Sequence, residues 1–465
     1  MPSLSARSAA TLLGDWRPTG RGAIAALADR LQLLVGDGRI PAGTRLPAER
    51  ELAASLALSR TTVTAVYARL REAGALETVR GSGSVVRIPS APDAALETEA
   101  GLLDLARATL PPVVQLQPAL ERAVAQLPAW THAHYDVVGI PPLREAIAER
   151  YTARGLATTP DQIMVTMGAQ HAISLLARTL LSRGDRVLVE TPSYPHALEA
   201  FRGVAARLLP VGVTADDGWD DEALEQALAA RPRLAYLMPD FHNPTGASMP
   251  REQRRRVTAL ARRAGTLLVV DETISELAID SPGPLRPFGA AVTLGSLGKS
   301  VWGGLRIGWI RADRALVAQL VRARPPHDLG TPVLEQLAAV TLVRQLDEIL
   351  AERAGFLRAG RDALLDGLGE RMPGWRLPRP AGGLTLWAGL GAPISTALTL
   401  AARREGVLLT AGPRFGLGGS FERFLRLPFG LAPAQAEQTV DALVRASAAL
   451  GLGGGGDTEE LLDVV

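Results

Sequence analysis

The sequence predicts an α/β protein, with a small helix-turn-helix unit at its start and a large domain built on a buried parallel sheet. Three observations lead there. Apolar residues recur at helical spacing between residues 24 and 70 and then give way to an extended, glycine-tipped stretch. Farther along, short Val/Leu-rich runs alternate with helical stretches, as buried parallel strands do. Finally, Lys299 is the single lysine among 50 basic residues, which suggests a position that needs an amine able to lose its proton, although a leftover surface lysine in an arginine-rich chain fits the same count.

With 465 residues, 47% of them hydrophobic, the chain has the length for two or three domains and the apolar content for a full core. Cysteine is absent, which excludes a disulfide framework, a thiolate metal site and a cysteine nucleophile. Six scattered histidines without a ligand spacing point to no metal site. No apolar run reaches membrane-spanning length, and residues 1–7 lack the core of a signal peptide. The expectation is a soluble, cytoplasmic protein.

In the first 88 residues, Ile24, Leu27, Leu31 and Leu34 mark one amphipathic helix, ended by three glycines and Pro41 between residues 36 and 43. Pro47 precedes a second helix, Glu49 to Leu56. Ser59 suits the N-cap of a third, whose apolar stripe is Val63, Val66, Tyr67 and Leu70 and which Gly74 stops. Residues 76–88 are extended around Gly81-Ser82-Gly83, giving a helix-turn-helix with a β-wing. Ten arginines face six acidic residues between 21 and 88, a local excess in a chain whose formal charge is only +2. On a DNA reading the third helix enters a major groove, with Ser59, Arg60, Thr61 and Thr62 turned to bases and phosphates. A plain three-helix module with a solvated arginine face fits the same pattern.

Residues 89–102 are rich in proline and alanine and predict a linker. The segment 103–110, followed by Pro111-Pro112, predicts an extended arm on the next domain. Three apolar runs, 186–189, 234–238 and 266–270, predict strands, and ligands of such sheets sit beyond the strands' carboxyl ends. Just there stand Tyr194, Asn243 and Asp271, and Lys299 comes after a fourth run at 291–294. Four consecutive glycines and an acidic tail predict disorder over 451–465.

Lysine differs from arginine in that its amine can lose a proton and attack a carbonyl. Gly298-Lys299-Ser300 looks like the end of a P-loop, but Thr293 and Leu294 stand where that loop should open. Just beyond the lysine runs a glycine-rich turn, Trp302-Gly303-Gly304-Leu305-Arg306, so Ser296 and Arg306 are placed to hold one phosphate beside Lys299. Singly, other readings stay open: Asp271 as a helix N-cap, Tyr194 and Tyr135 as semi-buried aromatics, Asn243 as a turn residue, Arg306 and Arg426 as ion-pair partners.

The string Gly38-Arg39-Ile40-Pro41-Ala42-Gly43-Thr44-Arg45-Leu46-Pro47-Ala48-Glu49-Arg50-Glu51-Leu52-Ala53, continued by Ser59-Arg60-Thr61-Thr62-Val63, closely resembles the signature of GntR-type winged-helix repressors. The resemblance implies operator DNA contacts by Arg50, Ser59, Arg60, Thr61, Thr62 and Gly81. Thr64 stands where some relatives have an arginine. Residues 131 to about 450 resemble a fold type I, class I and II aminotransferase, with a large α/β domain, a mostly parallel sheet and a smaller α+β C-terminal part. Together the two resemble the MocR/GabR-type regulators, with a winged helix in 1–88 (core 21–88), a linker in 89–102 and an aminotransferase-like domain in 103–450.

That likeness implies pyridoxal 5'-phosphate carried on Lys299, with Asp271 at the pyridinium nitrogen, Asn243 at the ring hydroxyl and Tyr194 on the ring face. It implies a phosphate site from Gly168, Ala169 and Gln170 at a helix N-terminus with Ser296 and Arg306. Tyr135 matches a tyrosine that reaches the phosphate of the partner subunit in a homodimer, and Arg426 matches an arginine that grips an α-carboxylate. Thr273 departs from the pattern, since a tyrosine whose hydroxyl reaches the ring oxygen is usual there. The expected function is a DNA-binding transcription regulator sensing an amine, an amino acid or the cofactor itself, with slow transamination. The alternative is a working aminotransferase with an appended DNA-binding domain.

Overall fold

The computed structural model describes residues 2–14, 16, 22–36, 38–79, 83–87, 101–130, 135–280, 288–289 and 291–451. The expected wing tip at Gly81, most of the linker and most of the C-terminal tail lie outside the described residues.

The N-terminal unit comprises helices α1 (Ala6–Leu13), α2 (Ala23–Gly36), α3 (Glu49–Leu56) and α4 (Arg60–Glu72), then strands β1 (Leu76–Val79) and β2 (Gly83–Val86) paired antiparallel. Ser59 caps α4 by accepting from Thr62 N at 3.1 Å. Its stripe of Val63, Val66, Tyr67 and Leu70 is at most 1% exposed and packs with Leu27, Leu31, Leu34 and Leu52 into a core of the unit's own. Each large side chain so buried stabilises the unit by about 1.5–3 kcal/mol.

The large sheet takes strands β4 (Ile163–Thr166), β5 (Arg186–Thr191), β6 (Arg207–Thr214), β7 (Gly218–Trp219), β8 (Leu234–Leu237), β9 (Leu267–Asp271), β10 (Val292–Ser296) and β11 (Gly308–Arg311), in the order β4-β11-β10-β9-β8-β5-β6-β7. From β10 through β6 the neighbours pair parallel. Strands β11 and β7 run against their neighbours. The carboxyl ends of β5, β8, β9 and β10 therefore share one rim. The C-terminal part holds β12 (Thr385–Gly389), β14 (Thr410–Ala411) and β15 (Phe424–Pro428) as an antiparallel sheet ordered β12-β15-β14. The arm expected before the large domain is present: β3 (Leu103–Asp104) pairs parallel with β13 (Val407–Leu408).

The two units touch. Arg30 of α2 donates to Glu422 at 2.8 Å, and Arg404 reaches Asp29 at 2.6 Å.

Candidate functional site

The rim gathers several of the expected residues. Lys299 lies in the turn after β10, Asp271 ends β9, Tyr194 caps the helix Pro195–Gly203, and Arg426 sits on β15. Burial pushes the Lys299 ammonium down from 10.5 to about 8; Arg426 and Arg306 push it the same way, and Asp271 opposes them. Such an amine is partly neutral near physiological pH, the form that attacks a carbonyl. Tyr194 is pushed up to about 12 by burial and then by Asp271. Burial also raises the Asp271 carboxyl, while hydrogen bonds from Thr273 and Tyr236 pull it back.

Several of the residues expected at a phosphate lie close to Arg306. This residue has a left-handed backbone, φ 55°, and donates to Met167 O at 2.9 Å. Its guanidinium lies so close to Gly168 that a Cβ there would sit 2.7 Å from Nη2. Gly168, φ 80°, caps the helix Ala169–Leu180, whose free N–H groups and positive end suit an anion. Gly308 packs against the same turn, where a Cβ would meet Gly168 at 2.6 Å. Ser296 Oγ accepts from Gly298 N at 3.0 Å and donates to Ile307 O at 3.1 Å, fixing the turn that bears Lys299. Gln170 Nε2 binds His196 O at 3.1 Å, and its Oε1 has no partner among the described residues.

Arg426 is 6% exposed, lies over the Phe415 ring at 4.8 Å and is lowered to about 10 by burial. It donates to Ala106 O, yet its Nε is buried without a hydrogen-bond partner among the described residues. A buried guanidinium left partly unpaired is costly, and a ligand carboxylate would relieve it. Asn243 Oδ1, in the loop after β8, is unpaired in the same sense. Across the site runs the arm: Ala106 O also accepts from Thr410 Oγ1 at 3.0 Å, and Ala108 O accepts from Lys299 Nζ at 2.6 Å.

On the N-terminal unit Arg50, Ser59, Arg60 and Thr61 are exposed and Thr62 half-buried. Ser59 Oγ lies 2.7 Å from the hydroxyls of both Thr61 and Thr62, so the first turn of α4 presents a fixed hydroxyl cluster beside Arg60. Thr64 donates to Glu49 at 2.7 Å, turning it to α3. Tyr135 is 81% exposed. Sequence reasoning missed the arm's carbonyls, which carry no side-chain signal, and Tyr236, whose hydroxyl donates to Asp271 at 2.7 Å. A lone tyrosine inside an apolar strand was the available hint.

Residues 104–443 match the family model described as aminotransferase class I and II, and residues 23–86 that of bacterial regulatory proteins, gntR family. The 2-aminoadipate transaminase of Thermus thermophilus is 33% identical over 303 residues, 63% of this chain and 75% of that protein. The Escherichia coli protein named uncharacterized HTH-type transcriptional regulator YdcR is 28% identical over 443 residues, covering 86% and 93%. Among solved structures, LysN, an alpha-aminoadipate aminotransferase from Thermus thermophilus complexed with N-(5'-phosphopyridoxyl)-L-leucine, superposes with TM-score 0.69 at 29% identity, covering 78% of this chain and 95% of its own. The chain belongs to the class I and II aminotransferases and carries a gntR-family winged helix ahead of that domain.

Proposed function

We propose that this protein is a pyridoxal-phosphate-dependent transcription regulator of the MocR type, acting as a cytoplasmic homodimer. Its aminotransferase-like domain senses a small amine, an amino acid or pyridoxal phosphate. The likeness to a named regulator along nearly the whole chain supports this, winged helix included. The observation that carries the sensing is the contact between the two units. Arg30 of α2 reaches Glu422, four residues before Arg426, and Glu422 also accepts from Thr396 N at 2.9 Å and Thr396 Oγ1 at 2.6 Å. A ligand that engages Arg426 therefore acts on the strand that follows the turn holding the DNA-binding unit.

The residues fit the cofactor. Gly168 leaves the space for Arg306 at a helix N-terminus, Asn243 offers an unpaired oxygen, and Lys299 is the one amine on a side chain. Pyridoxal phosphate, when bound, supplies an aldehyde for amines and a ring that withdraws electrons. The chain's own work is to hold Lys299 partly neutral, to place the Asp271 carboxylate at the rim for the ring nitrogen and to bind the phosphate with Arg306, Ser296 and the helix Ala169–Leu180. Arg426 takes the carboxylate of an amino-acid ligand. Tyr135, exposed on one protomer, serves the phosphate site of its partner. Arg50 and the α4 start hold operator DNA.

A working aminotransferase is the second reading, favoured by the 33% identity to a transaminase. Thr273 counts against fast turnover, because its short side chain replaces the usual reach to the ring oxygen. Turnover with a panel of amino and keto acids, measured beside DNA affinity with and without each ligand, separates the two. Ligand-dependent DNA binding with slow turnover is expected. Turnover of about 1 per second or more, with DNA affinity indifferent to every ligand, would overturn the regulator reading.

A further inference from the structure

We propose that Tyr236 is a positioning residue of the cofactor site, holding the Asp271 carboxylate in one orientation from within the sheet. The proposal rests on the reading of Asp271 as the partner of the cofactor's ring nitrogen.

Strands β8 and β9 run parallel with Tyr236 level with Val269. Side chains two residues apart on a strand share a face, so Tyr236, Val269 and Asp271 project to the same side. Two residues advance a strand by about 6.6 Å, a step the tyrosine ring spans along the sheet. Its hydroxyl arrives 2.7 Å from Asp271 Oδ2, while Thr273 N donates to Oδ1 at 2.9 Å. Each carboxylate oxygen is thus pinned by one donor. Tyr236 is fully buried and packs edge-on against Phe201, with centroids 5.7 Å apart. Of the chain's five tyrosines it is the one placed in an apolar strand among Leu234, Ala235 and Leu237, where phenylalanine would fill the same space. What the hydroxyl adds is the bond to Asp271.

The titratable groups around Asp271 are Tyr236 from β8, Glu190 from β5, Tyr194 from the loop beyond β5 and Lys299 from the turn after β10. Glu190 favours the neutral carboxyl, and the Tyr236 bond favours the charged form. Burial holds the Tyr236 phenol well above its ordinary range, so it remains a donor throughout. Without it, Asp271 takes up a proton at higher pH. Cofactor affinity that needs the carboxylate then fails earlier on the acid side, and one unit of that shift corresponds to about tenfold in affinity.

The test measures the dissociation constant for pyridoxal phosphate from pH 5 to 8.5, by absorbance and tryptophan fluorescence, in wild type, Tyr236→Phe, Asp271→Asn and the double variant. Thermal unfolding of each without cofactor serves as the fold control. For Tyr236→Phe the acid limb should move up by about one pH unit, and in the Asp271→Asn background the same change should add nothing. A wild-type pH curve for Tyr236→Phe, or an equal loss in both backgrounds, overturns the proposal and leaves the reading of Asp271 intact. Wild-type affinity in Asp271→Asn overturns the reading itself and the proposal with it.

Discussion

The winged helix displays its chemistry, and the second domain hides it. Arg50, Arg60 and Thr61 are exposed above a core that is almost entirely apolar, whereas Asp271 and Arg426 are at most 7% exposed and Lys299 is half-buried. The difference comes from the partner that each unit must recognise. A phosphate backbone is met by charges that exchange water and ions for it, so the binding groups stay in solvent and their effect falls with salt. Capture of an aldehyde by an amine needs a lysine that gives up its proton, which only desolvation and neighbouring charge supply. Shifted titration therefore appears at Lys299, Asp271, Tyr194 and Arg426.

The largest expected effect breaks the buried side outright. Lys299→Ala should abolish the absorbance at roughly 420 nm expected of the cofactor held on a lysine, and an unchanged spectrum would refute the assignment. Arg426→Ala comes next: affinity for a carboxylate-bearing amine should fall on the order of 100-fold, while a plain amine binds as before. Equal losses for both ligands would mean that Arg426 is structural. On the exposed side, Arg60→Ala should cost ~1–3 kcal/mol of operator binding if it reads a base, checked by titration against upstream DNA. Parent-like affinity at every salt concentration would count against the α4 face.

A further comparison sharpens the contrast through stability. Burial raises the Glu272 carboxyl from 4.5 to about 7, with Arg154, 3.5 Å away, opposing the shift. Between those values the folded state holds the extra proton. The contribution is thus present below pH 4.5 and lost as pH rises through 7. Glu272→Gln should make the decline of unfolding free energy over that window shallower, by up to about 1.4 kcal/mol per pH unit. A denaturant titration at several pH values checks the slope, and an unaltered slope would assign the proton uptake elsewhere.

Much of this was legible in the residues. Glu49 to Leu56 emerges as α3 with the expected bounds, Ser59 caps α4, and the three apolar runs become β5, β8 and β9. Periodicity and capping are local, so sequence carries them. Lys299 stands out as a candidate because a single lysine among arginines is a chemical signal. Contacts across long separations were not. Arg30 meets Glu422 across 392 positions, and neither residue differs in kind from other surface charges. The arm over the site was expected as an extended segment, but its hold on Arg426 and Lys299 comes from the carbonyls of Ala106 and Ala108, which every residue possesses. Tyr236 went unnoticed because its strand reads as apolar, and register with β9 alone shows where its hydroxyl ends.

The link between the two regions is tested most directly by one binding measurement. The dissociation constant for a fixed upstream DNA fragment is taken at constant salt, with and without saturating pyridoxal phosphate, for wild type and for Lys299→Ala. Because a ligand shifts an equilibrium only by its differential affinity for the two arrangements, wild-type DNA affinity should change with the cofactor by about 5-fold or more, and that of Lys299→Ala should not. Identical DNA affinities for wild type in both conditions, with cofactor bound, would contradict the account.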